Sequence, residues 1–421
     1  MQSSIKLRLT VMNFLQFAVW GAYLTSMGRY LGTAGFGSEI GNFYAMQGLV
    51  SLFMPALMGI VADRWIPAQR LLGLCHMWAG MLMLGVFLYT QTDTPSYPTL
   101  FALYSLSVAF YMPTLALSNS VAYTSLDQAG LDLVKSFPPI RVFGTVGFIC
   151  TMITVSLLGL EATSGQFAVS AIISLVLAVY AQTLPNCPTA PKGQSKSLVE
   201  ALGLRAFVLF KQRKMALFFI FSMLLGVSLQ ITNGFANPFI STFGEIPAYA
   251  DTFGVKYANI LISLSQLSET LCILLIPFAL RRFGIRRVML IAMVAWVLRF
   301  ALLGLGNPGS GVWLFLLSMI VYGVAFDFFN VSGSLFVDKE TDPSIRSSAQ
   351  GLFMIMTNGI GATLGSLGAQ AVINRFVYSQ SEATAILSGW TTSWYIFAAY
   401  AAVVAVLFAL LFRYNTVTEA K

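Results

Sequence analysis

The chain has 421 residues, of which 57% are hydrophobic and only 10% charged, and its mean hydropathy is +0.77. About 20 apolar residues span a bilayer and this chain has many such runs, so composition excludes a soluble domain and points to a multi-pass membrane protein. The net charge of +8 does not point to nucleic acid, because the basic residues cluster in short loops between apolar runs. Cys75, Cys150, Cys187 and Cys272 are scattered singly with no CxxC pair, which argues against a disulfide framework or a metal site.

Twelve apolar spans are predicted in chain order: 9–31, 40–62, 70–91, 98–122, 139–160, 165–184, 213–241, 256–280, 286–305, 311–336, 346–374 and 391–412. Lys6 and Arg8 precede the first without a small-residue cleavage site, so it reads as a retained helix and not a signal peptide. Proline and glycine punctuate the breaks: Pro95 to Pro98, Pro138-Pro139 and Asn307-Pro308. The stretch 185–212, with Pro185, Pro188, Pro191, Lys192 and Lys196, reads as a cytoplasmic linker between an N-terminal half (1–184) and a C-terminal half (213–421). The termini and even-numbered loops hold most of the basic residues, among them Lys6, Arg8, Arg64, Arg70, Lys135, Lys214, Arg281, Arg282, Arg286, Arg287, Arg346, Arg413 and Lys421. The opposite loops hold only Arg29, Lys256 and Arg375, an asymmetry that places both termini in the cytoplasm.

The two halves repeat a charged turn at the same place. After span two the chain reads Gly59-Ile-Val-Ala-Asp-Arg64, and after span eight Arg281-Arg-Phe-Gly-Ile-Arg-Arg287. The first resembles the G-x-x-x-D-R/K loop of the major facilitator superfamily and the second its degenerate counterpart. That resemblance implies an all-α membrane fold of two six-helix halves related about the membrane normal. Asp63 and Arg64 are then expected to gate the cytoplasmic side as a charge pair that forms in one state and breaks in the other.

Chemistry is expected at the polar groups embedded in these spans. Arg141, Thr145 and Phe148 share a stripe at i, i+4 and i+7 in span five. Gln230 and Asn233 lie three apart in span seven, and Gln266 and Glu269 three apart in span eight. Tyr322 and Phe326 lie four apart in span ten, with Asp327 next. Amides and hydroxyls often tie membrane helices together, but a carboxylate in hydrocarbon is too costly for packing alone. Glu269 and Asp327 are therefore the expected proton carriers. Arg141 is open to two readings, a snorkelling anchor or a cavity residue. Arg299 reads as a scaffold ion pair, and His76 as a core histidine. Amides, carboxylates and aromatic faces suit a neutral, flat, hydroxyl-bearing solute, and residue chemistry leaves nucleosides and sugars equally open. One histidine and scattered cysteines offer no catalytic cluster, and there is no GxxxxGK[ST] motif, so neither an enzyme nor an ATP-driven pump is expected.

Several strings are closely similar to the bacterial nucleoside:proton symporter family: Leu15-Gln-Phe-Ala-Val-Trp-Gly21, Phe53 to Arg64, Tyr111-Met-Pro-Thr114, Phe137-Pro-Pro-Ile-Arg141, Phe218 to Gly226, Leu229-Gln-Ile-Thr-Asn233, Phe326-Asp-Phe-Phe-Asn330, Ser348-Ala-Gln-Gly351 and Thr357-Asn-Gly359. The resemblance covers nearly the whole chain. It implies a nucleoside pocket of Arg141, Thr145, Phe148, Gln230, Asn233, Gln266, Glu269, Tyr322, Phe326 and Asp327. It also implies proton-driven import by alternating access at a bacterial inner membrane, with nucleosides, protons and the lipid bilayer as partners. No cofactor, nucleic acid or obligatory protein partner is expected.

Overall fold

The computed structural model describes residues 2–189 and 198–414, and every regular element among them is helical. In chain order they are α1 (Gln2–Gly21), α2 (Met27–Thr33), α3 (Ile40–Ser51), α4 (Met54–Arg64), α5 (Ala68–Tyr89), α6 (Tyr97–Gln128), α7 (Leu133–Leu157), α8 (Gly165–Tyr180), α9 (Leu198–Ala201), α10 (Arg213–Thr242), α11 (Phe253–Lys256), α12 (Ala258–Cys272), α13 (Ile276–Leu305), α14 (Val312–Glu340), α15 (Arg346–Met354), α16 (Ala362–Phe376) and α17 (Ala383–Leu411). A π-helical stretch, Ile355–Gly361, joins α15 to α16. Ten helical stretches among the described residues are long and apolar enough to cross a membrane. Pro191, Lys192, Lys196 and Lys421 lie outside the described residues, so the central linker is described only at its two ends.

Several boundaries differ from the sequence reading, each for a local reason. The first span is broken: α1 ends at Gly21, and α2 starts at Met27 after a turn in which Tyr23 and Ser26 bond three residues back. The second is broken between α3 and α4, because Pro55 has no N–H for the carbonyl of Ser51. Pro138-Pro139 does not mark a break. Both prolines lie inside α7, near its start, where they remove bonds only to carbonyls of the first turn. The apolar run 258–305 is continuous by hydrogen bonding but bends at Gly284, whose φ of 76° suits a residue without Cβ. Residues 204–211 of the expected linker form a 3-10 helix.

The chain separates into two compact units, residues 1–36 with 49–202, and residues 37–48 with 203–421. In the first unit α1 packs on α7, and α5 on α6 and α8. Glycines bring α1 and α7 into backbone contact: a Cβ at Gly147 would stand 2.1 Å from the carbonyl oxygen of Phe14. Without water to drive them together, membrane helices associate through such close packing. In the second unit α13 packs on α14 and α17, and α12 on α14. Here Gly323 is the contact point, its missing Cβ standing 2.5 Å from the carbonyl oxygen of Ser268. Residues 37–48 are pinned within this unit by Gln370, which donates to the Gly37 carbonyl at 3.0 Å and accepts from the Gly41 N–H.

Candidate functional site

The second unit gathers the carboxylates. The contact of Gly323 with Ser268 sets their neighbours, Tyr322 and Glu269, at the same level of α14 and α12. Ser268 strengthens that contact by donating to the Ile320 carbonyl. Tyr322 is buried, lies parallel to Phe326 with ring centres 5.6 Å apart, and stands in the field of Glu269, Asp327 and Arg299. Asp327 is 5% exposed, and its Oδ2 is buried with no hydrogen-bond partner. An orphaned carboxylate oxygen inside an apolar bundle is costly unless a proton or a ligand takes it up.

Gln230 and Asn233 are one turn apart on α10 and bond each other, Asn233 Nδ2 donating to Gln230 Oε1 at 2.8 Å. Gln266 is half-buried on α12, one turn before Glu269. In the first unit, Phe148 is buried on α7 and meets Trp20 edge to face, with ring centres 6.4 Å apart. Thr145 is half-buried on the same stripe. The guanidinium of Arg141 lies 4.0 Å over the ring of Phe17, in space left by Gly144. It is therefore folded back across α1 rather than extended away from the bundle. Asp63 and Arg64 close α4, the first half-buried and the second exposed, and Asp63 forms no ion pair among the described residues.

Three features escaped the sequence reading. Arg299 is not in a scaffold ion pair: it bonds Ser265, the Ser318 carbonyl and Met319, and no carboxylate is within ion-pair distance. The residues that face it on α12 and α14 offer only neutral hydroxyls, carbonyls, a thioether and the face of Tyr322. Phe17 and Trp20 stand against Arg141 and Phe148; their i, i+3 spacing on α1 was the available signal. His76 is fully buried in a relay that no spacing rule joins. Gln16 Nε2 donates to Thr114, and Gln16 Oε1 faces His76 Nε2 at 2.7 Å. Ser174 meets His76 Nδ1 at 3.0 Å.

Residues 3–417 match the Nucleoside H+ symporter family. The chain belongs to that family. Within it, this symporter is 50% identical to the xanthosine permease of Escherichia coli K12 over 98% of this chain and 97% of the permease. It is 47% identical to the nucleoside permease NupG of the same organism, over 98% and 97%. Two crystal structures of nucleoside transporter NupG superpose with TM-scores of 0.91 and 0.89 at 46% identity, covering 97% and 98% of this chain and all of NupG. The symporter is thus a multi-pass membrane protein of the major facilitator fold, and the family removes the sugar reading that residue chemistry had left open.

Proposed function

We propose that this symporter imports nucleosides across a bacterial inner membrane, driven by the proton gradient alone, without a cofactor or an obligatory protein partner. Family membership supports the cargo and the coupling ion. The observation that carries the mechanism is the buried, unpartnered oxygen of Asp327 in the same field as Glu269. Two carboxylates at close quarters in an apolar bundle resist being ionised together. Loading a proton from the acidic side relieves that repulsion and lets the occupied site reorient; losing it inside releases the cargo. Each proton charge moved gains about 2.3 kcal/mol per 100 mV of membrane potential.

In this reading Gln230, Asn233, Gln266 and Glu269 bond the ribose and base, while Phe148, Tyr322 and Phe326 offer faces for stacking. Arg141 and Thr145 bind from α7, and Asp63 with Arg64 gates the cytoplasmic end. Twelve crossings, cytoplasmic termini and two six-helix halves, 1–184 and 213–421, joined by the linker 185–212, complete the proposal. The bend at Gly284 supports the count. At 1.5 Å per residue, the 48 residues of 258–305 would run about 70 Å if straight, over twice the hydrocarbon thickness. Alternating access would expose the site to each side in turn.

Uptake of labelled uridine into proteoliposomes tests the whole scheme. Accumulation should require an inward proton gradient, collapse with an uncoupler, and be competed by nucleosides but not by xylose or lactose. Accumulation that ignores the uncoupler would overturn it.

A further inference from the structure

The proposed pocket residues of the second unit come from two sets of helices. Gln230 and Asn233 lie on α10, which is held so closely against α16 that a Cβ at Gly365 would stand 2.1 Å from the Val227 carbonyl oxygen. Gln266 and Glu269 lie on α12, which is held against α14 at Gly323. α10 and α12 themselves meet only briefly. A molecule gripped from both sides therefore depends on whatever fixes the spacing across that seam.

Asn237 and Asn259 make a bond across it. Both are fully buried, and Asn237 Nδ2 donates from α10 to Asn259 Oδ1 on α12 at 2.9 Å. Asn237 is four residues beyond Asn233 and seven beyond Gln230, so the three share one face of α10. Asn259 is seven residues before Gln266 on α12. Seven residues make two turns, about 10 Å along a helix axis. As successive crossings the two helices run antiparallel, so Gln230 and Gln266 stand at the same depth on either side of the seam, two turns from the bond. Pro238, next to Asn237, has no N–H for the Gly234 carbonyl, so α10 is loosened just where the cross-helix bond holds it.

We propose that the Asn237–Asn259 bond is a positioning device for cargo: it sets the spacing at which Gln230 and Gln266 grip one nucleoside, without touching the nucleoside itself. The proposal rests on the reading that these glutamines bind the cargo.

Paired replacement separates positioning from simple helix adhesion. Leucine has the branching of asparagine and none of its polar atoms. Asn237→Leu and Asn259→Leu each leave the other amide without its cross-helix partner and should lower the melting temperature by several degrees. Replacing both leaves no such amide, and the double variant should recover most of that loss. Uridine affinity, read by calorimetry on the purified protein, should not recover, and should stay about tenfold weaker in the double variant. Wild-type affinity in the folded double variant overturns the proposal. If the leucines prevent folding, Asn237→Ser with Asn259→Ser replaces them, since two hydroxyls are too short to meet across the same gap, and wild-type affinity there overturns it equally. So does an affinity that merely tracks the melting temperature across the variants, or a failure of both pairs to fold, since the bond is then a strut. Gln230→Ala and Gln266→Ala test the underlying reading separately. If neither weakens uridine binding, the glutamines are not cargo ligands and that reading falls on its own, whatever the asparagine pair does.

Discussion

Two buried polar clusters, one in each unit, are built in opposite ways. In the first, His76, Gln16, Thr114, Ser174 and Tyr111 form a relay of neutral donors and acceptors, with Tyr111 donating to the Gln16 carbonyl at 2.9 Å. In the second, Arg299, Tyr322, Glu269 and Asp327 form a charged cluster with an orphaned carboxylate oxygen. The neutral relay satisfies its members within the protein. The charged cluster leaves Asp327 Oδ2 unsatisfied, and this is the feature on which the proposed proton coupling rests. Polarity in a membrane span is a poor guide to function; unsatisfied charge is a better one.

The sharpest way to break the contrast is Asp327→Asn. An amide cannot cycle a proton, so uridine accumulation at acidic outside pH should fall to the equilibrated level, while counterflow exchange persists. Uncoupler-sensitive accumulation by this variant would leave Glu269 as the carrier. Arg141 comes next, as the cation of the first unit that lies beside its polar core. Arg141→Ala should abolish uptake at normal expression. Arg141→Lys should lower it about tenfold, because an ammonium keeps a weaker hold on the Phe17 ring and loses the planar fork. Near-native uptake by the Lys variant removes Arg141 from the pocket.

Phe148 and Phe326 offer one candidate stacking face in each unit. Base stacking on an aromatic side chain contributes about 1–3 kcal/mol in single-stranded nucleic-acid sites. Calorimetry on Phe148→Ala and Phe326→Ala should therefore show uridine affinity weakened roughly tenfold in each. Unchanged affinity in both marks them as packing residues. Gly147→Ala and Gly323→Ala then compare the two backbone contacts. Each forces a Cβ into a carbonyl oxygen and should cost about 1–3 kcal/mol of stability, read as a lowered melting temperature. Gly323→Ala should also disturb proton-driven uptake, since it separates α12 from α14 beside Glu269 and Tyr322, whereas Gly147→Ala should weaken uridine affinity through its neighbour Phe148.

The smallest functional effect is expected at His76. His76→Gln should cost about 1–3 kcal/mol in stability through unsatisfied Ser174 and Gln16, yet leave the pH profile of uptake where it is. A shifted profile would mean that the neutral relay also titrates during transport.

The helical class was legible in the apolar runs, and breaks such as Asn307-Pro308 fell between helices as expected. What escaped was conformational detail decided by single hydrogen bonds. Pro138-Pro139 ride inside α7 because the bonds they remove lie in its first turn. The first span is broken without any proline at all. The carboxylates of α12 and α14 stood out in the sequence, since Asp and Glu are costly in an apolar run. Their surroundings did not. Arg299 and Tyr322 are on different helices, as are Phe17 and Arg141, and helical spacing relates only residues on the same helix. The identity of the cargo came from whole strings such as Leu229 to Asn233, because amides and rings alone suit a sugar as well as a nucleoside.

The π-helical stretch Ile355–Gly361 carries a practical consequence for anyone placing probes on this span. A widened turn takes in an extra residue, and each residue is worth about 100° of rotation around an α-helix. Faces counted from α15 are thus out of phase with those of α16. Gln350 holds the Ser334 carbonyl on α14, whereas Gln370 holds the Gly37 carbonyl. A ladder of cysteines or spin labels spaced by the α-helical rule should be phased separately on each side of 355–361, or it will spiral from one environment into another.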